Sequence, residues 1–535
     1  MTGPRRRSHW AWGYEDELAS GPGLRGIAES VAAATGFPLP AELEEPVPIE
    51  RVRLPEPQVA VPPGLAEICS QRRRDRAAHA HGMAYRDLIR AFRGQFEHVP
   101  DVVARPRDER DVTELLGWCD AAGLALIPFG GGTSVVGGVE PRVGAGYAGT
   151  VSADLSLLTT VLEADPVSGA ARIQAGATGP ALNAGLAPHG LTLRHFPQSY
   201  EFSTLGGWIA TRAGGHYATG PTHIDDLVES IRAITPSGVW QSRRLPASGA
   251  GISPDRMLLG SEGILGVITE AWVRVQRPPA HRASAVVRFG SLLSGADAVR
   301  AITISGLHPS NCRLIDAAEA ALAAGGDGKH ALLVLGFESP GHEVGEWLAA
   351  ALKLAGAHGG SVGEVAVRGP GSSTGRWRDA FLRMPYLRNV YPPMGLIAET
   401  FESAITWDAF PAFHQAVTEA ARHAARRACG TAAPALVTCR FAFAYADGPA
   451  PYYTVLAQGR RGDEVAQWDA IKQAAADAVL AAGGTITHHH AVGRDHRQWY
   501  DRQRPEPFAA ALRGAKAAVD PKGILNPGVL IDPPR

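Results

Sequence analysis

The stretch Pro128-Phe129-Gly130-Gly131-Gly132-Thr133-Ser134-Val135-Val136-Gly137-Gly138 constrains this chain more than any other. An apolar run, Leu124-Ala125-Leu126-Ile127, precedes it and itself follows a helix-like segment, so the glycines fall at a strand end where the backbone turns sharply. Three successive glycines reach φ > 0 and expose backbone N–H groups with no Cβ in front of them, while Thr133 and Ser134 add hydroxyl donors. Such a loop can bind phosphate. It is neither of the two common nucleotide fingerprints. Val135 stands where the dinucleotide pattern needs a third glycine, and Gly132…Gly137 lacks the lysine of a P-loop. Taken alone, the stretch also reads as a plain glycine-rich turn.

At 535 residues the chain exceeds the roughly 250–300 residues that one core serves, so more than one domain is expected. A formal net charge of −1 argues against a broad nucleic-acid or anionic-membrane surface, and any anion site must be local. Cys69, Cys119, Cys312, Cys429 and Cys439 are scattered with no CxxC pair, which fits a reducing cytosol and gives no sign of a metal site. Arg5-Arg6-Arg7 leads into Ser8-His9-Trp10-Ala11-Trp12 rather than an apolar run, so no secretory signal is read. No stretch approaches the roughly 20 apolar residues of a membrane span.

Along the chain, Pro38, Pro40, Pro46 and Pro48 break any long element in residues 1–98, and Trp12-Gly13-Tyr14 forms an aromatic island expected to dock on the main body. Gln71-Arg72-Arg73-Arg74 reads as a solvated basic face, followed by a helix-like run from Tyr85 to Phe92. Asp108 then precedes a segment that puts Val112, Leu115, Leu116 and Cys119 on one helical face. Strand-like pieces at 159–164 and 171–175 flank Asp165-Pro166-Val167-Ser168-Gly169, a hairpin signal, and a helix over 180–189 stops at Gly190. Helical patterns over 407–427 and 464–482 are expected to cover a sheet.

Two further blocks concentrate hydroxyls, small residues and paired glycines, as a backbone lying flat against a large ligand requires. One runs from Gln198 to Gly215 and the other from Gly260 to Thr269. Each alone also reads as a loop closing on a sheet. Three such blocks within about 140 residues, all at element edges, point to one extended cofactor.

Together the blocks resemble the FAD-binding domain of the vanillyl-alcohol oxidase and p-cresol methylhydroxylase superfamily, from about Val102 to Val275. The resemblance implies that Pro128, Phe129, Gly130, Gly131, Gly132, Thr133 and Ser134 cradle the FAD pyrophosphate. It assigns the isoalloxazine and ribityl contacts to Gln198, Ser199, Tyr200, Glu201, Phe202, Ser203 and Thr204, to Thr211, Arg212, Ala213 and Gly214, and to Glu262, Gly263, Ile264, Leu265, Gly266, Val267 and Ile268. No His or Cys occurs in Phe129 to Gly138, so non-covalent FAD is expected. Further motifs are Trp12-Gly13-Tyr14, Arg313-Leu314-Ile315-Asp316, Glu399-Thr400-Phe401-Glu402-Ser403, His488-His489-His490-Ala491-Val492-Gly493 and Asp520-Pro521-Lys522-Gly523-Ile524-Leu525-Asn526-Pro527. With them the chain is similar to the alkyldihydroxyacetonephosphate synthase family, flavoenzymes that make the ether bond of ether lipids.

A planar guanidinium suits bidentate binding of phosphate or carboxylate, and the resemblance makes Arg313 and Arg388 the substrate anchors. An ordinary Arg313–Asp316 salt bridge is the blander reading of the first. Tyr452 falls at the family's proton-transfer position, and strand alternation turns Tyr453 the other way. Consecutive histidines are a poor zinc chelate, so no metal is expected. On a strand, His488 and His490 would share one face with His489 opposite, and a solvated patch is the bland alternative to proton handling beside Tyr452.

The implied reaction has no net redox change. The acyl chain of an acyl-dihydroxyacetone phosphate is exchanged for a long-chain alcohol through a flavin N5 adduct. The rival on the same fold is an FAD-dependent 2-hydroxy acid dehydrogenase or oxidase, with the arginines holding a carboxylate. The fold class expected is α+β, with a two-subdomain FAD-binding domain of vanillyl-alcohol oxidase type and a cap domain of antiparallel sheet and covering helices. Its divisions fall at 1–98 (N-terminal extension), 99–277 (FAD-binding), 278–484 (cap) and 485–535, a segment returning to the flavin. Expected partners are a small-molecule or lipid substrate bearing phosphate or carboxylate, possible peripheral membrane contact and a second copy in a homodimer, with no nucleic acid. The chain closes on Asp532-Pro533-Pro534-Arg535 without a peroxisomal tripeptide, so a cytoplasmic or membrane-peripheral flavoprotein is expected.

Overall fold

The computed structural model describes residues 5–323, 326–367, 382–430 and 435–533; Pro534 and Arg535 at the chain end lie outside the described residues. Sixteen strands fall into three sheets among the described residues. The first joins β1 (Cys69–Ser70), β2 (Val102–Ala104), β3 (Ala125–Phe129) and β4 (Thr150–Asp154) in the order β1-β2-β4-β3, with β2 and β3 both parallel to β4. Their shared direction puts the end of β3, and the glycine loop after it, at one edge of this sheet. The helix Glu109–Ala122 leads into β3. Asp108 caps it by accepting from the Asp111 N–H, Gly123 ends it at φ +66°, and Val112, Leu115, Leu116 and Cys119 bury the expected face.

The second sheet is antiparallel, with β5 (Val161–Asp165), β6 (Ala170–Gln174), β7 (Val228–Thr235), β8 (Gly238–Gln241) and β9 (Val267–Arg274) in the order β5-β6-β9-β7-β8. The expected hairpin is β5–β6, its turn held by Asp165 Oδ1 accepting from the N–H groups of Val167 and Ser168. The helices Gly179–Leu186 and Leu205–Thr211 bury Leu182, Leu186, Leu205, Trp208 and Ile209 in the same core as Ile173, Ile231 and Ala271 of this sheet.

Seven antiparallel strands make the third sheet: β10 (His281–Phe289), β11 (Asn311–Ile315), β12 (Ala331–Ser339), β13 (Ser361–Val367), β14 (Leu396–Glu402), β15 (Leu436–Ala444) and β16 (Pro449–Gln458), ordered β13-β10-β12-β11-β15-β16-β14. Two pairs of helices cover it. Leu292–Ile304 and Gly345–Ala357 share a core with β10 and β12, while Phe410–Cys429 and Glu464–Ala481 share one with β14 and β16. The helix expected at 407–427 begins three residues later, because Trp407 is drawn to the Tyr445 carbonyl and Pro411 sits in the first turn, where no N–H is needed.

A helix not anticipated from sequence, Gly21–Thr35, lies before the proline-rich run, with Pro22 in its first turn and Gly36 closing it at φ +73°. The aromatic island docks as expected. Asn389 brackets the Trp12 backbone, accepting from its N–H and donating to its carbonyl. Arg7 donates to the Gly131 carbonyl and lies over the Phe202 ring, so residues 7–14 form a strap against the glycine loop. No helix of the described residues is long and apolar enough to cross a membrane.

Candidate functional site

A Cβ on Gly131 would lie 1.9 Å from the Phe202 carbonyl oxygen, and one on Gly130 would lie 2.4 Å from Thr204 Oγ1, so the loop after β3 packs on the 198–204 block only as glycine. The N–H groups of Gly130, Gly131, Gly132, Thr133 and Ser134 donate to no acceptor among the described residues. Five such donors in a row ask for an anion, and a pyrophosphate satisfies them. In the second block the N–H groups of Phe202 and Ser203 both turn back to the Ser199 carbonyl, and Thr204 then caps the helix Leu205–Thr211. Glu262, at φ +48°, anchors the third block by accepting from the N–H groups of Val492 and Gly493, and burial pushes its carboxyl up to about 7. Asn526 donates to the carbonyls of both Gly138 and Glu262, clamping the chain's last segment onto the first and third blocks.

These blocks line one cavity with about 1610 Å³ of atom-free space, partly open to solvent. Its lining runs from the glycine loop after β3 to strands β11, β15 and β16 of the third sheet, as an extended cofactor with substrate beside it requires. Pro128 through Ser134 all line it, as do Gln198, Ser199, Ser203, Thr204, Thr211, Ala213, Gly214, Glu262, Gly263, Gly266 and Ile268. Seven residues expected here do not. Tyr200 donates its hydroxyl to the Gly179 carbonyl, Glu201 accepts from the Tyr386 hydroxyl, and Phe202 packs against Trp12 and Tyr14. Arg212, at φ +52°, turns out to Asp225, 2.8 Å away, while Ile264, Leu265 and Val267 are core residues. Contiguity in sequence is not contiguity on one face.

On the third sheet, β16 places Tyr452, which also lines the cavity, opposite Arg440 of β15 and Glu402 of β14. The Arg440 guanidinium carbon lies 3.9 Å from the Tyr452 ring centroid and pairs with Glu319, and its Nε has no acceptor among the described residues. Arg388 reaches Thr400 Oγ1 at 2.8 Å and the Tyr452 hydroxyl at 3.4 Å. Arg313, buried on β11, donates to the His216 carbonyl at 3.0 Å, and burial and the neighbouring Arg440 lower its pKa to about 9, which leaves it charged at neutral pH. The Asp316 carboxylate accepts from the N–H groups of Glu319 and Cys439. Tyr453 points away from the cavity, stacked on Phe401 with its hydroxyl 3.2 Å from His414 Nδ1.

The histidine triplet does not form a strand. Its backbone winds around the buried Glu402 carboxylate, which accepts from the N–H groups of His488 and His490 and from Thr487 Oγ1. The alternation expected for a strand therefore fails. His489 and His490 line the cavity, with ring centroids 6.1 and 5.3 Å from Tyr452, whereas His488 turns to Tyr445 and His223. Burial holds all three well below the ordinary histidine pKa, so they are neutral at pH 7. Arg440, Trp12, Phe443 and Asn526 line the cavity without having been singled out for it. Arg440 had one signal, a lone charge in the apolar run Val437 to Ala444.

Residues 100–242 match the family model of an FAD binding domain, and residues 278–530 match that of the FAD linked oxidases, C-terminal domain. The alkyldihydroxyacetonephosphate synthase of Trypanosoma brucei brucei is 30% identical over 510 residues, covering 90% of this chain and 82% of that protein. A solved structure of alkyldihydroxyacetonephosphate synthase superposes with a TM-score of 0.80 and 23% identity over 97% of each chain. That of p-cresol methylhydroxylase with substrate bound gives 0.67 and 12% over 97% of this chain and 98% of that one. The two structures share this α+β fold, and the cofactor is FAD. The chain is an FAD-dependent enzyme and belongs to the alkyldihydroxyacetonephosphate synthase family.

Proposed function

We propose that this enzyme exchanges the acyl chain of an acyl-dihydroxyacetone phosphate for a long-chain alcohol, giving the alkyl-dihydroxyacetone phosphate for which its relatives are named. One observation carries the reading: Arg388 and Arg440 meet Tyr452, and Arg313 lines the same cavity with them and two neutral histidines, on strands and a helix separate from the phosphate-binding loop. Two anion sites in one cavity suit FAD at one and a phosphorylated substrate at the other. Bound FAD supplies an electron sink beside the substrate carbon. The arginines hold the substrate phosphate and fix its C1 near the Tyr452 hydroxyl. That phenol moves the C1 proton, held between the Arg440 cation over its ring and the Arg388 donor at its oxygen. His489 and His490, being neutral, are ready to accept a proton. Trp208, Ala442 and Phe443 line the same space and keep water from the reacting carbon.

The FAD is held non-covalently in this reading, since the loop from Phe129 to Gly138 offers neither His nor Cys. Residues 99–277 serve the flavin, 278–484 the substrate, and 485–535 return to close the site, with 1–98 as an extension. We further place the enzyme in the cytoplasm with peripheral membrane contact, as a homodimer. The test is to mix the yellow protein anaerobically with an acyl-dihydroxyacetone phosphate and a long-chain alcohol. Ether product over many turnovers without an electron acceptor is expected. No product, with the flavin bleached by 2-hydroxy acids, would overturn the proposal.

A further inference from the structure

His489 is the innermost of three imidazoles that lead out of the cavity. Its Nδ1 lies 3.2 Å from Nδ1 of His488, and Nε2 of His488 lies 3.2 Å from Nε2 of His223. Neither His488 nor His223 lines the cavity, and His223 is half-buried beside the exposed Asp226. The Phe443 ring packs against all three, at centroid distances of 5.1, 5.0 and 6.0 Å. The row therefore runs along an apolar wall.

One carbonyl settles the direction of the whole row. His223 Nδ1 is 2.8 Å from the Arg212 carbonyl, which can only accept, so the proton sits on Nδ1 and Nε2 presents a lone pair. His488 then donates from Nε2 and accepts at Nδ1. His489 donates from Nδ1, leaving its Nε2 bare. The Tyr445 hydroxyl, 2.8 Å from His488 Nε2 and 2.9 Å from Thr222 Oγ1, shares the same His488 N–H and passes its own hydrogen to Thr222. Burial pushes the Tyr445 phenol up, so it orients His488 and does not store charge. Burial holds His223 below the ordinary histidine value; the Arg212 carbonyl, Asp225 and Asp226 favour an imidazolium there and the Arg212 charge opposes it.

We propose that His489, His488 and His223 form a proton wire between the cavity and solvent, with His223 as its outer port. This rests on the reaction proposed above. When the substrate C1–H bond breaks, its electron pair stays on the substrate. Tyr452 takes that proton as it gives its own to Nε2 of His489. The Nδ1 proton of His489 moves to Nδ1 of His488, and the Nε2 proton of His488 moves to Nε2 of His223, whose imidazolium releases a proton to water. Reverse passage returns a proton to the cavity and restores every tautomer. Nothing is oxidised or reduced. His223 acts through its neighbours and is a positioning and relay residue, remote from the substrate.

The test combines one variant with two readouts. In His223→Gln holoenzyme, exchange of the substrate C1 proton with D2O, followed by proton NMR, should fall about tenfold or more while KM holds, and free imidazole should restore it. Unchanged exchange, or a loss that imidazole does not restore, would overturn the wire. Separately, nitrogen-15 NMR of histidine-labelled holoenzyme, assigned with the same variant, should show the Nδ1–H tautomer at His223 and the Nε2–H tautomer at His488. The opposite tautomers would refute the wire even if the substrate were another compound. A wild-type enzyme that makes no ether product but shows the expected tautomers would overturn the reaction and leave the wire standing.

Discussion

Tyr452 and Tyr453 are adjacent in β16 and have opposite surroundings. The pleat turns Tyr452 to the arginines and histidines and Tyr453 to Phe401 and His414, and this division was legible in the sequence because a strand alternates with period two. Tyr452→Phe should lower turnover by about 10²–10⁴-fold with the flavin spectrum retained. Tyr453→Phe should leave turnover near wild type and cost about 1 kcal/mol of stability through its lost hydrogen bond, read by chemical denaturation. The triplet His488 to His490 was legible as a cluster but not as a geometry. Its facing is set by Glu402, 86 residues from His488, and no local periodicity encodes such a partner. Arg440 was missed for a related reason. It gains its meaning from Tyr452 on the neighbouring strand, not from anything beside it in the chain.

Elements that end on their own chemistry were the most legible. Asp108 and Gly123 bracket one helix, Asp165 and Gly169 make one hairpin turn, and the apolar run to Phe129 delivers the glycine loop to a strand end. What could not be read was which residues of each glycine block face inward, because a loop has no period. Gly131 offers the sharpest test of the loop. An alanine there meets the Phe202 carbonyl at 1.9 Å, and the backbone must shift to admit it. Such overpacking costs about 1–3 kcal/mol, so Gly131→Ala should weaken FAD retention by roughly 10- to 100-fold, measured as bound flavin after dialysis.

At the scale of the molecule, burial of ionisable groups makes stability depend on pH. Nine histidines, His9, His81, His195, His223, His414, His488, His489, His490 and His496, are held below the ordinary value by desolvation, so the unfolded chain takes protons that the folded chain refuses. Their contribution is full above about pH 6.5 and is lost as pH falls below it. Six carboxyls, Asp87, Asp255, Glu262, Asp316, Glu399 and Asp469, are held high, Asp87 and Glu262 at about 7 and Asp316 at about 6, and pull the other way, their contribution being lost as pH rises. The histidines outnumber them. Thermal midpoints recorded across the range should therefore fall as pH drops from about 6.5 to 5. The strap of residues 7–14 bears on the life of the holoenzyme. Arg7 is tied to Gly131, 124 residues further along the chain, and Trp12 forms part of the cavity wall, so a segment remote in sequence from the glycine blocks completes the pocket. A flavin held beneath that strap should leave more slowly than one without it, so loss of residues 7–14 is expected to shorten the time the protein stays yellow during dialysis.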